Sequence, residues 1–177
     1  MLLFLVSYYN LKLRNMKKVI LVCALVLSSL AASAQFTVSV NGGLPVGDLE
    51  DASSFALSGD LGYSFATDSN LMLGVSAGFI NYFGEEYEFL GTTVEAESIQ
   101  FLPVAGSLHY RISNNFSAGS KIGYAFGIND GNDGGFYYKP MLSYMVGDAT
   151  SLSLYFEGIS DDGANANNVG LGFTFAL

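Results

Sequence analysis

The sequence is poor in cysteine, histidine, tryptophan and basic residues. Among 177 residues there is one cysteine, Cys23, one histidine, His109, and no tryptophan, and 7 Lys and Arg stand against 16 Asp and Glu. A single cysteine excludes an internal disulfide, so the fold must depend on its hydrogen-bond ladder and on burial of apolar surface. Because binding to phosphate backbones needs a basic surface, the charge balance also argues against a nucleic-acid partner.

The sequence also lacks an apolar run of the roughly 20 residues that a membrane-spanning helix needs. Its apolar run at 19–27 follows Met16-Lys17-Lys18 and precedes Ala32-Ser33-Ala34. A basic end, a short apolar run and a small-residue site predict a signal peptide over 1–34, cleaved after Ala34, with Met16 as an alternative start. The remaining domain, 35–177, keeps all 16 carboxylates and three basic residues, a formal charge of −13.

What the sequence does contain is period-two alternation. In the last segment, apolar side chains at 169, 171, 173 and 175 alternate with small or polar ones, which predicts a strand with one apolar face. Seven earlier segments repeat the pattern, so the predicted strands are 36–42, 55–65, 71–82, 99–111, 116–127, 136–146, 151–159 and 168–175. Short joins at 66–70, 112–115 and 147–150 alternate with longer ones, which is typical of outer-membrane barrels with short periplasmic turns and long external loops.

The apolar faces of these strands carry aromatic residues near both ends. Seven lie on the turn side and five on the loop side: Tyr63, Phe65, Tyr110, Phe116, Tyr144, Phe173, Phe175, and Phe79, Tyr124, Phe126, Phe136, Tyr138. Two aromatic belts around an apolar band fit a bilayer with an interface on either side. The alternative is a soluble, lipocalin-like periplasmic barrel, in which the larger apolar face would point inward.

Strand 99–111 departs from simple alternation. Ile99 and Phe101 share one phase, Leu102 and Val104 the other, and Pro103 lies between them. A proline lacks the N–H donor of the ladder, so this strand is predicted to contain a β-bulge that resets its phase.

Three features together resemble a known family. The signal, the Leu102-Pro103-Val104 strand ending in His109-Tyr110-Arg111, and the final Gly172-Phe173-Thr174-Phe175 are similar to the small outer-membrane β-barrel domain family common in Bacteroidetes, an OmpA-type barrel. The resemblance covers 35–177 and implies an all-β, eight-stranded antiparallel up-and-down transmembrane β-barrel, exported through the periplasm to the bacterial outer membrane. It also implies a terminal-strand signal read by the barrel-assembly machinery, matched here by Asn168, Gly170, Phe173 and Phe175. Most members of this family have no assigned activity.

Strand parity places five charged residues on the inner face: Asp60, Arg111, Lys121, Lys139 and Glu157. A Lys or Arg that faced lipid at mid-bilayer would cost about 2–4 kcal/mol. The lumen of an eight-stranded barrel is just wide enough to be filled by side chains. We therefore predict a lumenal charge network that plugs the barrel, with a narrow pore or a small-ligand barrel as the alternative.

His109 raises the alternative of a lipid-modifying outer-membrane enzyme. Such chemistry requires a base paired with a nucleophile, and inward serines are available: Ser58, Ser64, Ser76, Ser107, Ser117, Ser143 and Ser153. No flanking motif singles out one of them. The sequence therefore favours a non-enzymatic protein without catalytic residues, cofactor or resident metal, which serves envelope structure or surface interaction.

Twelve of the 16 carboxylates fall in the predicted external loops, namely Asp48, Glu50, Asp51, Glu85, Glu86, Glu88, Glu95, Glu97, Asp130, Asp133, Asp161 and Asp162. Such a surface favours solubility, and capture of divalent cations is the alternative. The segment starting at Asn129 fails the EF-hand pattern, because its third position is Gly131 and its twelfth is Pro140.

The longest loop, 83–98, mixes carboxylates with aromatic residues and is the predicted contact surface. Its candidate contact residues are Glu85, Glu86, Tyr87, Glu88 and Phe89. The same segment also fits a hairpin that turns at Gly91 and extends the flanking strands.

Overall fold

The computed structural model describes residues 34–50, 52–66, 70–89, 92–95, 97–161 and 165–177. The predicted signal peptide up to Ser33 and the predicted hairpin turn at Gly91 lie outside the described residues. The strands are β1 Ala34–Val46, β2 Ser53–Ala66, β3 Leu71–Gly84, β4 Glu86–Phe89, β5 Thr92–Glu95, β6 Ile99–Arg111, β7 Phe116–Gly127, β8 Gly135–Met145, β9 Thr150–Ser160 and β10 Asn165–Ala176. Among the described residues, no helix is long and apolar enough to cross a membrane.

Eight of these strands close into a barrel. Their order around the ring is β1-β10-β9-β8-β7-β6-β3-β2, so each long strand lies beside its neighbours in the chain and β1 meets β10. The ladders are antiparallel. The prediction of an all-β, closed, eight-stranded antiparallel up-and-down barrel is therefore confirmed.

Strands β4 and β5 form a separate two-stranded antiparallel sheet. Glu86 pairs with Glu95, and Phe89 pairs with Thr92. The longest loop is thus a hairpin, as one of its two interpretations predicts, but its ladder is not continuous with that of the barrel.

Several strands extend further toward the loops than predicted, and β1 and β10 do so by the most residues. β1 continues from Gly42 to Val46, and β10 begins at Asn165 instead of Asn168. Gly43 pairs with Gly170, and Pro45 pairs with Asn168. A Gly-Gly-x-Pro segment is a turn signal in a sequence, but here the partner strand keeps it extended.

The predicted bulge at Pro103 is wrong. The registers of β6 with β3 and with β7 are the same on both sides of the proline. Pro103 pairs with Ala125 on β7, whereas on the β3 side two pairings are missing, those of Pro103 with Gly78 and of Leu102 with Phe79. The proline is therefore accommodated by a local gap in one ladder without shifting the strand, and Phe101 keeps the inward phase.

The outer face of the barrel is apolar. Mid-strand residues such as Leu61, Val104 and Ile122 are 65%, 52% and 56% exposed. Aromatic rings contact each other near both ends of the strands. The ring centroids of Phe116 and Tyr144 are 4.9 Å apart, and those of Tyr124 and Phe126 are 5.1 Å apart. The larger apolar face thus points away from the lumen, opposite to the arrangement of a soluble lipocalin-like barrel.

Candidate functional site: the barrel lumen

The half of the lumen nearest the long loops is filled by apolar side chains. Ile80, Phe101, Tyr137 and Ile159 are at most 5% exposed, and Tyr82 is completely buried. Leu49, from a short 3-10 helix between β1 and β2, packs in the same cluster. The Tyr82 and Phe101 rings meet edge to face at 6.2 Å. We call this cluster the loop-end plug.

The loop-end plug is not among the features that the sequence predicts. The alternation pattern predicts a phase change after Ile99 and Phe101, although both lie at ordinary inward positions of β6. The signal was present in the sequence, because inward positions near the loop end are also apolar at Ile80, Tyr82 and Ile159. The inner face is polar near the turns and apolar near the loops. This change is overlooked when the inner face of each strand is classified as a whole as polar or apolar.

Below the plug lies a buried polar cluster centred on Glu157, which is 1% exposed. Its carboxylate accepts hydrogen bonds from the Tyr137 hydroxyl at 2.9 Å and from the Asn168 amide at 3.1 Å. Asn168 also donates to the Tyr82 hydroxyl at 2.9 Å. Lys139 Nζ lies 3.0 Å from Glu157 Oε1. A buried carboxylate is stable when it is paired and hydrogen-bonded in this way.

A second ion pair crosses the lumen. Lys121 Nζ on β7 donates to Asp60 Oδ1 on β2 at 2.5 Å, and both side chains are about nine-tenths buried. The amide of Asn41 donates to Ser58 Oγ at 3.2 Å and lies 3.4 Å from Asp60 Oδ2. The pair therefore connects strands that are not neighbours in the ring.

Lys139 is the more unusual of the two lysines. It is 2% exposed, and its ammonium lies 4.1 Å from the centre of the Tyr155 ring, a cation–π contact. Despite the short distance to Glu157, Nζ donates no hydrogen bond of good geometry to any described group of the protein. Lys139 is thus paired with Glu157 by charge, without a well-aligned hydrogen bond to a described acceptor.

Arg111 lies apart from both pairs. It ends β6 at the side of the short turns and is exposed. In the described part of the chain no salt bridge includes it, whereas Lys121 and Lys139 each have one. The predicted network is therefore two separate ion pairs, with Arg111 at the rim of the lumen.

The half of the lumen nearest the turns holds a cavity of about 330 Å³. Arg111, Lys121, Lys139 and His109 line it, together with a series of hydroxyl-bearing residues that includes Ser39, Ser64, Ser76, Ser107, Ser143 and Ser153. Exposed turn residues, among them Asn114, Asn115 and Asp148, also line it. The cavity thus opens at the turn end, and the loop-end plug closes its other end.

His109 lines this cavity. Its imidazole lies against Gly119, its register partner on β7. Within the described ranges, the hydrogen-bonded serines of the cavity contact other groups, such as Ser143 with Ser153 at 2.7 Å. The serine–histidine hydrogen bond that a triad requires is not among these contacts.

The remaining predicted residues divide by location. Asn168 and Gly170 of the terminal strand face the lumen, whereas Phe173 and Phe175 are 49% and 44% exposed on the outer face. Glu85 lies between β3 and β4, and its backbone N–H donates to Ala52 O. Glu86, Tyr87, Glu88 and Phe89 form β4, and their side chains lie outside the described part of the structure.

The described residues contain no group of three or more His, Cys, Asp or Glu side chains placed to hold a metal ion. Several loop carboxylates, including Asp51 and Asp162, lie outside the described ranges. The divalent-cation alternative stays a prediction for those loops.

Comparison with known proteins identifies the fold. No protein-family model and no curated protein sequence matches the chain. The solved structure of the outer membrane protein Ail of Yersinia pestis in a phospholipid bilayer nanodisc matches with a TM-score of 0.60 and 12% identity, over 82% of this chain and 100% of that one. The N-terminal β-barrel domain of Pseudomonas aeruginosa OprF matches with a TM-score of 0.52 and 16% identity, over 81% of this chain and 97% of that one.

A de novo designed transmembrane β-barrel also matches, with a TM-score of 0.51 and 17% identity over 81% of this chain and 95% of the design. Identities this low show a shared fold and nothing finer. Membership of the family common in Bacteroidetes stays a prediction. The chain has the eight-stranded barrel fold of small outer-membrane proteins.

Proposed function

We propose that this protein is an integral, non-enzymatic barrel of the bacterial outer membrane, which supports envelope structure or makes surface contacts through its acidic external loops. The observation that carries the proposal is that the barrel has an apolar outer face and a charged inner face, the reverse of a soluble barrel. Leu61, Val104 and Ile122 point away from a lumen that contains Lys121 and Lys139.

The outer apolar band fits lipid better than water. Isolated exposed apolar residues are normal on soluble proteins, but a continuous exposed band marks a membrane or an interface. Here the band surrounds the barrel, as exposed residues on different strands show: Leu44, Leu61, Val75, Val104, Ile122, Leu142, Leu154 and Leu171. Closure of the ring leaves no unpaired sheet edge in lipid.

The state of the lumen supports a non-conducting and non-catalytic role. The loop-end plug fills one half, and the Glu157 cluster lies directly below it. The acidic loops are then the part of the protein that a partner outside the cell would meet. Phe173 and Phe175, exposed on the last strand, are available to the barrel-assembly machinery before closure.

Cell fractionation combined with heat-modifiable gel migration tests the proposal. We expect the protein in the outer-membrane fraction, with unheated samples migrating differently from boiled ones because a lipid-embedded barrel resists detergent. Recovery in the soluble periplasm without a folded-form band would contradict the membrane assignment. Turnover of lipid acyl chains by the purified barrel, abolished by His109→Ala, would contradict the non-enzymatic assignment.

A further inference from the structure

All three basic residues of 35–177 line the same cavity. They are Arg111, Lys121 and Lys139, in a segment that carries 16 carboxylates. Asp148, an exposed turn residue, is the carboxylate that lines the cavity in the described part of the chain. Asp60 and Glu157, which pair with the lysines, are not part of the lining. The cavity wall thus presents the cationic ends of two ion pairs together with the guanidinium of Arg111.

The rest of the wall supplies hydrogen-bond donors. Hydroxyl groups recur at several depths, and two pairs of them contact each other, Ser39 with Thr174 at 2.9 Å and Ser143 with Ser153 at 2.7 Å. A hydroxyl can rotate to donate either to its neighbour or into the cavity. Such a wall suits an acceptor-rich molecule.

Lys139 gives an independent indication of a ligand. Its side chain is 98% buried and lines the cavity, yet Nζ donates no hydrogen bond of good geometry to the described protein. A buried ammonium has three N–H donors that need partners. An oxygen acceptor entering the cavity would join the Glu157 carboxylate as a partner of this ammonium.

Size and access restrict the candidates. A volume of about 330 Å³ is at the small end of ligand pockets, which span about 300–1,000 Å³. The loop-end plug blocks entry from the other side. A small solute that reaches the turn end fits these limits, whereas a lipid acyl chain would meet a polar wall.

We propose that the cavity binds a small oxyanion, meaning a phosphate or carboxylate group, that enters from the turn end. Lys139, Lys121 and the serine hydroxyls hold the oxyanion at the floor, and Arg111 attracts it at the entrance. Charged donors and hydroxyls form strong hydrogen bonds to such groups. The assignment goes beyond the proposed membrane role, because a barrel with an unused cavity would serve the envelope equally well.

Calorimetric titration of the purified barrel in lipid nanodiscs tests the proposal, with inorganic phosphate, acetate and glycerol as probes at constant ionic strength. Phosphate and acetate distinguish the two oxyanion sources, and glycerol tests a neutral polyol. We expect saturable binding of at least one anion and none of glycerol. Amide shifts in NMR spectra should fall on cavity residues such as Ser143 and Ser153.

Three variants and a control locate the site. The double variant Lys139→Met with Glu157→Gln removes both charges of the pair and should weaken anion binding by about tenfold, the loss expected for one charge-assisted hydrogen bond. Arg111→Gln changes an exposed residue at the entrance and should weaken binding less, whereas Arg111→Lys should retain it. Asp130→Asn, at the far end of the barrel, is the control and should bind like the wild type.

Three outcomes would overturn the proposal. The first is the absence of saturable binding by either anion, which would mean that the cavity holds water only. The second is binding of glycerol equal to that of the anions. The third is unchanged anion binding in a folded double variant. If the double variant does not fold, the amide shifts and the affinity of Arg111→Gln test the location of the site. Anion-induced shifts confined to the long loops would place binding outside the cavity and contradict the proposal.

Discussion

Lys121 and Lys139 are direct register partners on neighbouring strands, yet their ammonium groups bind different carboxylates. Like charges directly opposite each other destabilise a sheet. Lys121 reaches across the lumen to Asp60, and Lys139 pairs with Glu157 on the next strand. The two lysines are tolerated side by side because each has a carboxylate of its own.

This arrangement predicts a large difference between single and double variants. Glu157→Gln leaves the Lys139 ammonium buried without its counter-charge and should lower the free energy of unfolding by about 3–5 kcal/mol. Combining it with Lys139→Met should recover most of that loss. Urea unfolding in lipid vesicles measures both, and equal losses in the two proteins would show that the ion pair does not matter.

The outer apolar band predicts a cost that depends on depth. Val104→Arg, at mid-strand, should destabilise the folded barrel by about 2–4 kcal/mol, since the arginine would lie in hydrocarbon. Val146→Arg is a matched control, because Val104 and Val146 are 52% and 53% exposed but Val146 lies in a turn. It should cost at most about 1 kcal/mol. Similar costs for both arginines would argue against a bilayer around the strands.

Gly158 makes room for an aromatic ring on the outer face. A Cβ built there would lie 2.7 Å from Tyr138 Cε1. The Tyr138 ring stacks between the rings of Phe136 and Phe156, with centroid distances of 6.1 and 5.9 Å. Gly158→Ala should therefore destabilise the barrel by about 1–3 kcal/mol, the usual cost of overpacking. Gly147→Ala, where an added Cβ meets nothing within 4 Å, should be nearly neutral in the same unfolding experiment.

The loop-end plug predicts that the wild-type barrel carries no steady ionic current. Phe101→Ala removes a buried ring of the plug and should cost about 3–5 kcal/mol. Planar-bilayer recordings measure the current, and unfolding measures the stability. Stable conductance by the wild type would show that the plug opens in the membrane.

The separate hairpin of β4 and β5 predicts that the longest loop is dispensable for folding. Replacing residues 85–95 with a short Gly-Ser turn should leave the heat-modifiable band intact, because the barrel ladder does not include these strands. Binding to any surface partner that uses the acidic loops should be lost at the same time. A failure of barrel assembly would instead assign the hairpin a structural role.

The sequence predicts the strands well where neighbouring residues alternate, as in β6 and β7, whose bounds agree with the structure. It fails where a property depends on a distant strand. Gly43 is extended because Gly170 pairs with it, and the plug around Phe101 is completed by Tyr82 from a strand far away in the sequence. Parity places the charges inside, but which carboxylate each lysine binds depends on the cross-lumen geometry.

The Glu157 cluster also bears on the order of assembly. Lys139 and Glu157 lie on β8 and β9, whereas the Asn168 amide that completes their surroundings comes from β10, the strand that closes the ring against β1. An open sheet that entered hydrocarbon early would carry an ammonium and a carboxylate without this shield, at a cost of several kcal/mol per ion. The hydrogen-bonded surroundings of Glu157 are therefore complete only when the final strand is in place.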